Sequence, residues 1–229
     1  NIKLDKTGGL TEALAMALPT LGLVMIAVVA AGANGYVWQH EGGEDAGTFW
    51  FKELWLTKSF FLARAVVYVA LWSLVVWMVV GTSRKQDRTG DLKQTFTNRR
   101  LSGLVLLVFA PTFSLAASDW FMSLEPMWFS TVWGAYHFAG LAMSSLAVVV
   151  LLALYLRRTG PLRGLFREDH LHDLGKLLFG FSVFWMYLWF SQYMLIWYSN
   201  IPEETLYYIP RMQGAWGPLV IANLALNWF

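Results

Sequence analysis

Long runs of apolar residues alternate with short polar stretches along the 229-residue chain. Five runs, 13–34, 60–81, 101–122, 130–156 and 174–199, are long enough to qualify as membrane helices; a helix needs about 20 residues to cross a roughly 30 Å hydrocarbon core. A sixth begins near 215 and reaches Phe229 without a polar exit. The pattern predicts an all-α fold, a polytopic transmembrane helix bundle of about six spans forming a single transmembrane domain over residues 1–229. The start at Asn1 without an initiator Met, together with the unfinished sixth run, leads us to expect a piece of a longer subunit.

The polar connections sort by charge. Arg84, Lys85, Arg88, Lys93, Arg99 and Arg100 fall in the 82–100 connection. Arg157, Arg158, Arg163 and Arg167 fall in 157–173, and the N-terminal segment adds Lys3 and Lys6. The alternate connections differ. Residues 35–59 set Lys52 and Lys58 against Glu41, Glu44, Asp45 and Glu53, 123–129 has no Lys or Arg, and 200–214 has Arg211 beside Glu203 and Glu204. Basic residues mark the cytoplasmic side of membrane proteins. The N-terminus is therefore expected in the cytoplasm. Trp50, Trp55, Trp120, Trp128, Trp133, Trp197, Tyr198, Tyr207 and Tyr208 gather at the opposite ends, where an interfacial aromatic belt is expected.

Composition agrees. The chain is 57% hydrophobic and only 14% charged, against about a quarter charged in soluble domains. A soluble enzyme is excluded on this ground, and a net charge of +2 without a basic tract leaves no footprint for nucleic acid. With no cysteine, the chain can neither attach c-type haem through thioethers nor hold a Cys-ligated iron–sulfur cluster.

Ionisable groups inside spans are costly and therefore candidates for function. Arg64 lies about one turn into the second span from outside, and Asp119 about one turn before the outer end of the third. His137 falls roughly 10 Å below the outer end of the fourth span, with Gln192 similarly deep in the fifth. If their helices meet, these four form one polar cluster open to the outside, able to bind a quinone carbonyl or pass protons. Otherwise Arg64 and Asp119 are interfacial groups, and His137 and Gln192 make interhelical hydrogen bonds. On the inner side Asp173 and Lys176, spaced i,i+3, form either a helix-start ion pair or a proton-entry site, with Tyr187, Ser191 and Gln192 further along. His137 is the single His within a predicted span, so the chain does not supply two axial ligands to a b-type haem. His40 falls in the outer loop. His170 and His172 fall in an inner loop, where no metal site is expected. Pro111 is expected to kink the third span near Thr112 and Ser114, and Pro19 with Gly22 to disturb the first.

Two stretches carry more than composition. One runs Ser118-Asp119-Trp120-Phe121-Met122-Ser123-Leu124-Glu125-Pro126-Met127-Trp128-Phe129-Ser130-Thr131, followed by Gly134, Tyr136 and Phe138-Ala139-Gly140. The other runs from Asp173-Leu174-Gly175-Lys176-Leu177 through Trp189-Phe190-Ser191-Gln192-Tyr193 to Ile196-Trp197-Tyr198-Ser199-Asn200-Ile201-Pro202-Glu203-Glu204-Thr205. Together they resemble the F subunit of bacterial alternative complex III, a quinol:electron-acceptor oxidoreductase. That subunit is similar in architecture to the complex's C subunit and to NrfD-type quinone-interacting membrane proteins, helix bundles without a redox metal of their own.

The resemblance implies a multi-pass subunit in the bacterial cytoplasmic membrane, without a cofactor of its own, beside the quinol-oxidising module. Its implied partners are the NrfD-like C subunit, an iron–sulfur subunit and c-type cytochrome subunits carrying haem c, with a terminal oxidase, quinol and the lipid bilayer as further partners. Asp119, Asp173, Lys176, Gln192, Glu203 and Glu204 lie within the matching strings. Arg64 and His137 lie outside the matches and rest on depth alone.

The leading expectation is thus a membrane subunit that contributes scaffolding and proton translocation, with Asp119, His137, Asp173, Lys176, Tyr187 and Gln192 as proton-path candidates. The alternative is a quinone-headgroup pocket made by Arg64, Asp119, Trp120, Trp133 and His137. An independent secondary transporter is a third possibility, although neither inverted repeats nor helices broken at the midplane stand out.

Overall fold

A computed structural model describes residues 12, 14–36, 38, 54–91, 93–125, 128–159 and 166–228. His40, Trp50, Arg163, the acidic residues of the 35–53 stretch, and Lys3 and Lys6 lie outside the described residues. The described residues form helices and turns, with no strand among them. In chain order the helices are α1 (Leu18–Gly32), α2 (Lys58–Thr89), α3 (Lys93–Trp120), α4 (Trp133–Thr159), α5 (Glu168–Ser199), α6 (Pro202–Thr205), α7 (Tyr208–Met212) and α8 (Trp216–Trp228). Among the described residues five helical segments, α2 to α5 and the stretch Leu14–Gly32 that contains α1, are long and apolar enough to cross a membrane. The run beginning near 215 becomes the 13-residue α8.

The helices outlast the apolar runs at their basic ends. With 32 residues each, α2 and α5 span about 48 Å. The 82–100 connection, expected as a loop, is therefore mostly the end of α2 and the start of α3. Lys, Arg and Gln are good helix formers, so nothing in 82–89 stops the helix until Gly90. Gly90 takes the left-handed conformation at φ 65° and donates its N–H to the Gln86 carbonyl. Asp91 then accepts the Lys93 N–H at 2.9 Å, and Gln86 donates to Thr95 across the turn. The start of α5 is similar: His170 Nδ1 accepts the Arg167 N–H, while Glu168 and Asp169 face the positive end of the helix dipole.

Proline acts differently in the two spans it enters. Pro19 occupies the first turn of α1, where a missing N–H is harmless, and regular helix gives way to a turn at Ala17. Pro111 lies inside α3, which runs through it as helix. Beside it, Thr112 donates to the Val108 carbonyl and accepts the Trp72 indole N–H at 2.9 Å. Ser114 donates to Ala110.

Contacts divide the chain into two compact units, Asn1–Leu124 and Glu125–Phe229. In the first, α1 and α3 pack on α2 around Val29, Tyr36, Phe61, Ala65, Tyr68, Ala116 and Trp120. Gly22 allows the close approach of α1 to α2, since a Cβ there would collide with Val69 Cγ1. Valine is stiff about χ1 and yields poorly. Gly22→Ala should therefore cost about 1–3 kcal/mol by overpacking. Gly32→Ala, with open space around it, should leave the unfolding midpoint in detergent unchanged. In the second unit, α4 and α5 pair around Ala139, Trp185, Met186 and Leu188, and Ser182 on α5 donates to the Asn227 carbonyl at the end of α8. Leu107 is 76% exposed and Leu195 70%, a surface suited to lipid and unsuited to water.

Candidate functional site

The strongest polar cluster is in the first unit, where the last turn of α3 meets the second turn of α2. Arg64 Nε and Nη2 grip Asp119 Oδ2 and Oδ1 at 2.8 and 3.0 Å, a two-pronged fork. Tyr68, one turn after Arg64 on the same face, donates its hydroxyl to Oδ2 at 2.9 Å. The Trp55 indole N–H reaches Oδ1 at 2.7 Å, and the Trp55 carbonyl accepts Arg64 Nη1 at 2.7 Å. Arg64 also lies over the Trp55 and Phe60 rings, 4.1 and 4.6 Å from their centroids. Both charges are buried, Asp119 at 2% exposure and Arg64 at 8%.

Four donors fill the acceptor positions of one carboxylate, two on each oxygen. A proton arriving at Asp119 would have to displace Arg64, Tyr68 or Trp55. The arrangement is built to hold α2, α3 and the 54–56 turn together. Around it, the Tyr36 hydroxyl donates to the Trp120 carbonyl at 3.0 Å, and Ser123 donates to the carbonyl of Asp119. Burial, then the negative charge of Asp119, raises the Tyr36 phenol above its ordinary range, so it stays protonated as that donor. Trp120 packs edge-on against Tyr68 and Trp72. Its indole N–H is buried and meets no acceptor among the described residues.

The other candidates belong to the second unit. His137 is in the second unit, with Nδ1 3.0 Å from the Trp133 carbonyl. That bond requires Nδ1 to carry the proton, which makes Nε2 the acceptor nitrogen of the neutral ring. Its ring packs against Trp133 and Tyr136, centroids 4.4 and 5.3 Å away. Trp133 itself is buried against Trp128 and Tyr207. Gln192 is buried on α5, whereas Tyr187 on the same helix is 63% exposed, so the two occupy different faces. Asp173 and Lys176 form the expected i,i+3 pair at 2.9 Å, with both side chains largely exposed. Glu204 accepts the Ser199 hydroxyl, and Glu203 is exposed.

Sequence reasoning placed Arg64 and Asp119 at one depth but missed Tyr68 and Trp55 as their partners. Tyr68 had a signal, its i+4 spacing from Arg64. Trp55 sat in the aromatic belt with nothing to mark it from its neighbours. Arg211 was also missed: it pairs with Glu125 at 3.6 Å and stacks 3.7 Å from the Tyr207 ring. Burial raises the Tyr207 phenol despite the opposing pull of Arg211.

His170 is engaged as a helix cap and stacks on Phe166. Among the described residues no group of three His, Asp or Glu stands close enough to hold a metal. Among the described residues these features define a helical protein with five helices fit to cross a membrane and a buried, fully bonded ion pair between two of them. Neither a protein-family model nor a curated protein matches the chain.

Proposed function

We propose that the protein is an integral membrane subunit of a bacterial quinol:electron-acceptor oxidoreductase of the alternative complex III type, with a scaffolding role and the N-terminus in the cytoplasm. The observation that carries this is the pair of long strings in fixed order, 118–140 and 173–205. In the second unit, residues 136–140 of the first string pack on α5, the helix that carries most of the second. Gly140 admits the Trp185 indole, Tyr136 stacks on Trp185 at 5.3 Å, and Phe138 meets Phe181 edge-on. Trp185 and Phe181 lie between the quoted parts of the second string, but Tyr136 and Ala139 of the first string and Trp189 of the second meet in the same packed cluster.

Purification of the full-length protein from its native membrane tests the proposal. Co-purification with c-type cytochrome and iron–sulfur subunits is the expected result; a protein that isolates alone and transports a solute overturns it. For proton conduction, Asp173→Asn in the intact complex is the discriminating change, because an exposed pair contributes little to folding. Loss of proton movement with quinol oxidation intact assigns Asp173 to the path. Unchanged proton movement removes it.

The headgroup-pocket alternative has one observation in its favour: the buried Trp120 N–H, for which a quinone carbonyl would be an acceptor. A quinone carbonyl at Arg64 would instead compete with a carboxylate already gripped. Photo-crosslinking with a quinone analogue decides it, labelling at Trp120 supporting the pocket and labelling confined to another subunit sinking it.

A further inference from the structure

At the basic end of the α4–α5 pair lies an open cleft of about 880 Å³, walled by Leu154 and Phe166 and carrying Arg157, Arg158 and Arg167. Arg157 is committed, donating to Glu168 at 2.6 Å. Arg158 and Arg167 form no ion pair among the described residues. Two guanidinium forks outside any ion pair thus line the cavity, and such forks match the oxygens of a phosphate. Glu168 and Asp169 also line the cleft. Three arginines against two acids leave one net positive charge, the complement of a single phosphodiester.

The surroundings say what else the ligand carries. The apolar run of α4 ends at Leu156, which sets the cleft at headgroup depth if α4 crosses the bilayer. One and two turns before the arginines, Tyr155 and Leu151 are 63% and 66% exposed, an outward strip suited to an acyl chain. Free phosphate would use neither that strip nor the Leu154 and Phe166 walls.

We propose that this cleft binds the headgroup of an anionic phospholipid, its phosphodiester held by Arg158 and Arg167 and a chain lying along Leu151 and Tyr155. Basic pockets between membrane helices take anionic headgroups by this chemistry. The site does not depend on the respiratory assignment.

The test uses the full-length protein with its native partners, delipidated and titrated with phosphatidylglycerol, phosphatidylcholine or inorganic phosphate, with bound lipid read by native mass spectrometry. Phosphatidylglycerol is expected to bind, and the Arg158→Gln/Arg167→Gln variant to bind it about 30-fold more weakly, roughly fivefold per arginine. Arg158→Lys/Arg167→Lys should recover most of the loss, and Arg88→Gln, in the other basic turn, should change nothing. Equal binding of phosphatidylcholine, an unchanged affinity in the double Gln variant, or displacement by equimolar inorganic phosphate would each overturn the proposal. Should the Gln variant fail to fold, a headgroup photo-label on the wild-type protein replaces it: labelling at 166–167 supports the site, and labelling elsewhere alone overturns it.

Discussion

Asp119→Asn is expected to lower the stability of the first unit by about 3–5 kcal/mol, the cost of leaving a buried charge without its counter-ion. The amide keeps the shape of the carboxylate but turns one acceptor into a donor, facing Arg64, Tyr68 or Trp55 donors on both sides. Arg64 stays charged and almost closed to solvent. Tyr68→Phe removes one of four donors and should cost only about 1 kcal/mol. Replacing the pair together, Arg64→Met with Asp119→Leu, should recover much of the loss, since a buried ion pair is worth little against apolar residues that fill its place. Titration of the purified protein with a denaturing detergent measures all three. An Asp119→Asn protein that unfolds with the wild type would show that the pair does not anchor the helices. The doubly substituted protein also separates anchoring from proton transfer: if its complex still moves protons, Asp119 serves only as an anchor.

Trp185→Ala should be comparably damaging in the second unit, about 3–5 kcal/mol. Trp185 is 7% exposed, stacks on Tyr136 and lies 3.3 Å from where a Cβ on Gly140 would be. Membrane helices associate through such packing, because lipid offers no hydrophobic drive for apolar surfaces to leave it. Truncation leaves a void that the rigid α4 and α5 backbones cannot close, whereas Trp185→Phe keeps part of the ring contact and should lose less. Trp77→Ala supplies the control: its side chain is 67% exposed, and the change should stay within about 0.5 kcal/mol. Equal losses at Trp77 and Trp185 would contradict the α4–α5 packing.

Helix positions were legible along the chain because membrane crossing imposes a length and a polarity, both written in one dimension. The 82–100 stretch was misjudged for the same reason. Charge marks where a helix leaves the apolar layer, yet a helix rich in Arg, Lys and Gln continues until Gly90 can turn the backbone. The ion pair was half legible. Depth put Arg64 and Asp119 at one level, but depth holds no information about rotation around the helix axis. The same reckoning along the sequence assigned that depth to His137 and Gln192, which belong to the other compact unit.

The sequence alone determined an all-helical protein, its five long apolar helices and a charge pattern that divides the connections into two kinds, since each follows from local composition. Only the tertiary structure decided which faces meet: Gly22 on Val69, Gly140 on Trp185, and Asp119 within reach of Arg64, Tyr68 and Trp55. The physical reason is that a helix bordered by lipid is apolar on nearly every side. No amphipathic stripe points to its neighbour, and the partner is chosen by small residues and single polar groups whose meaning appears once the helices pack.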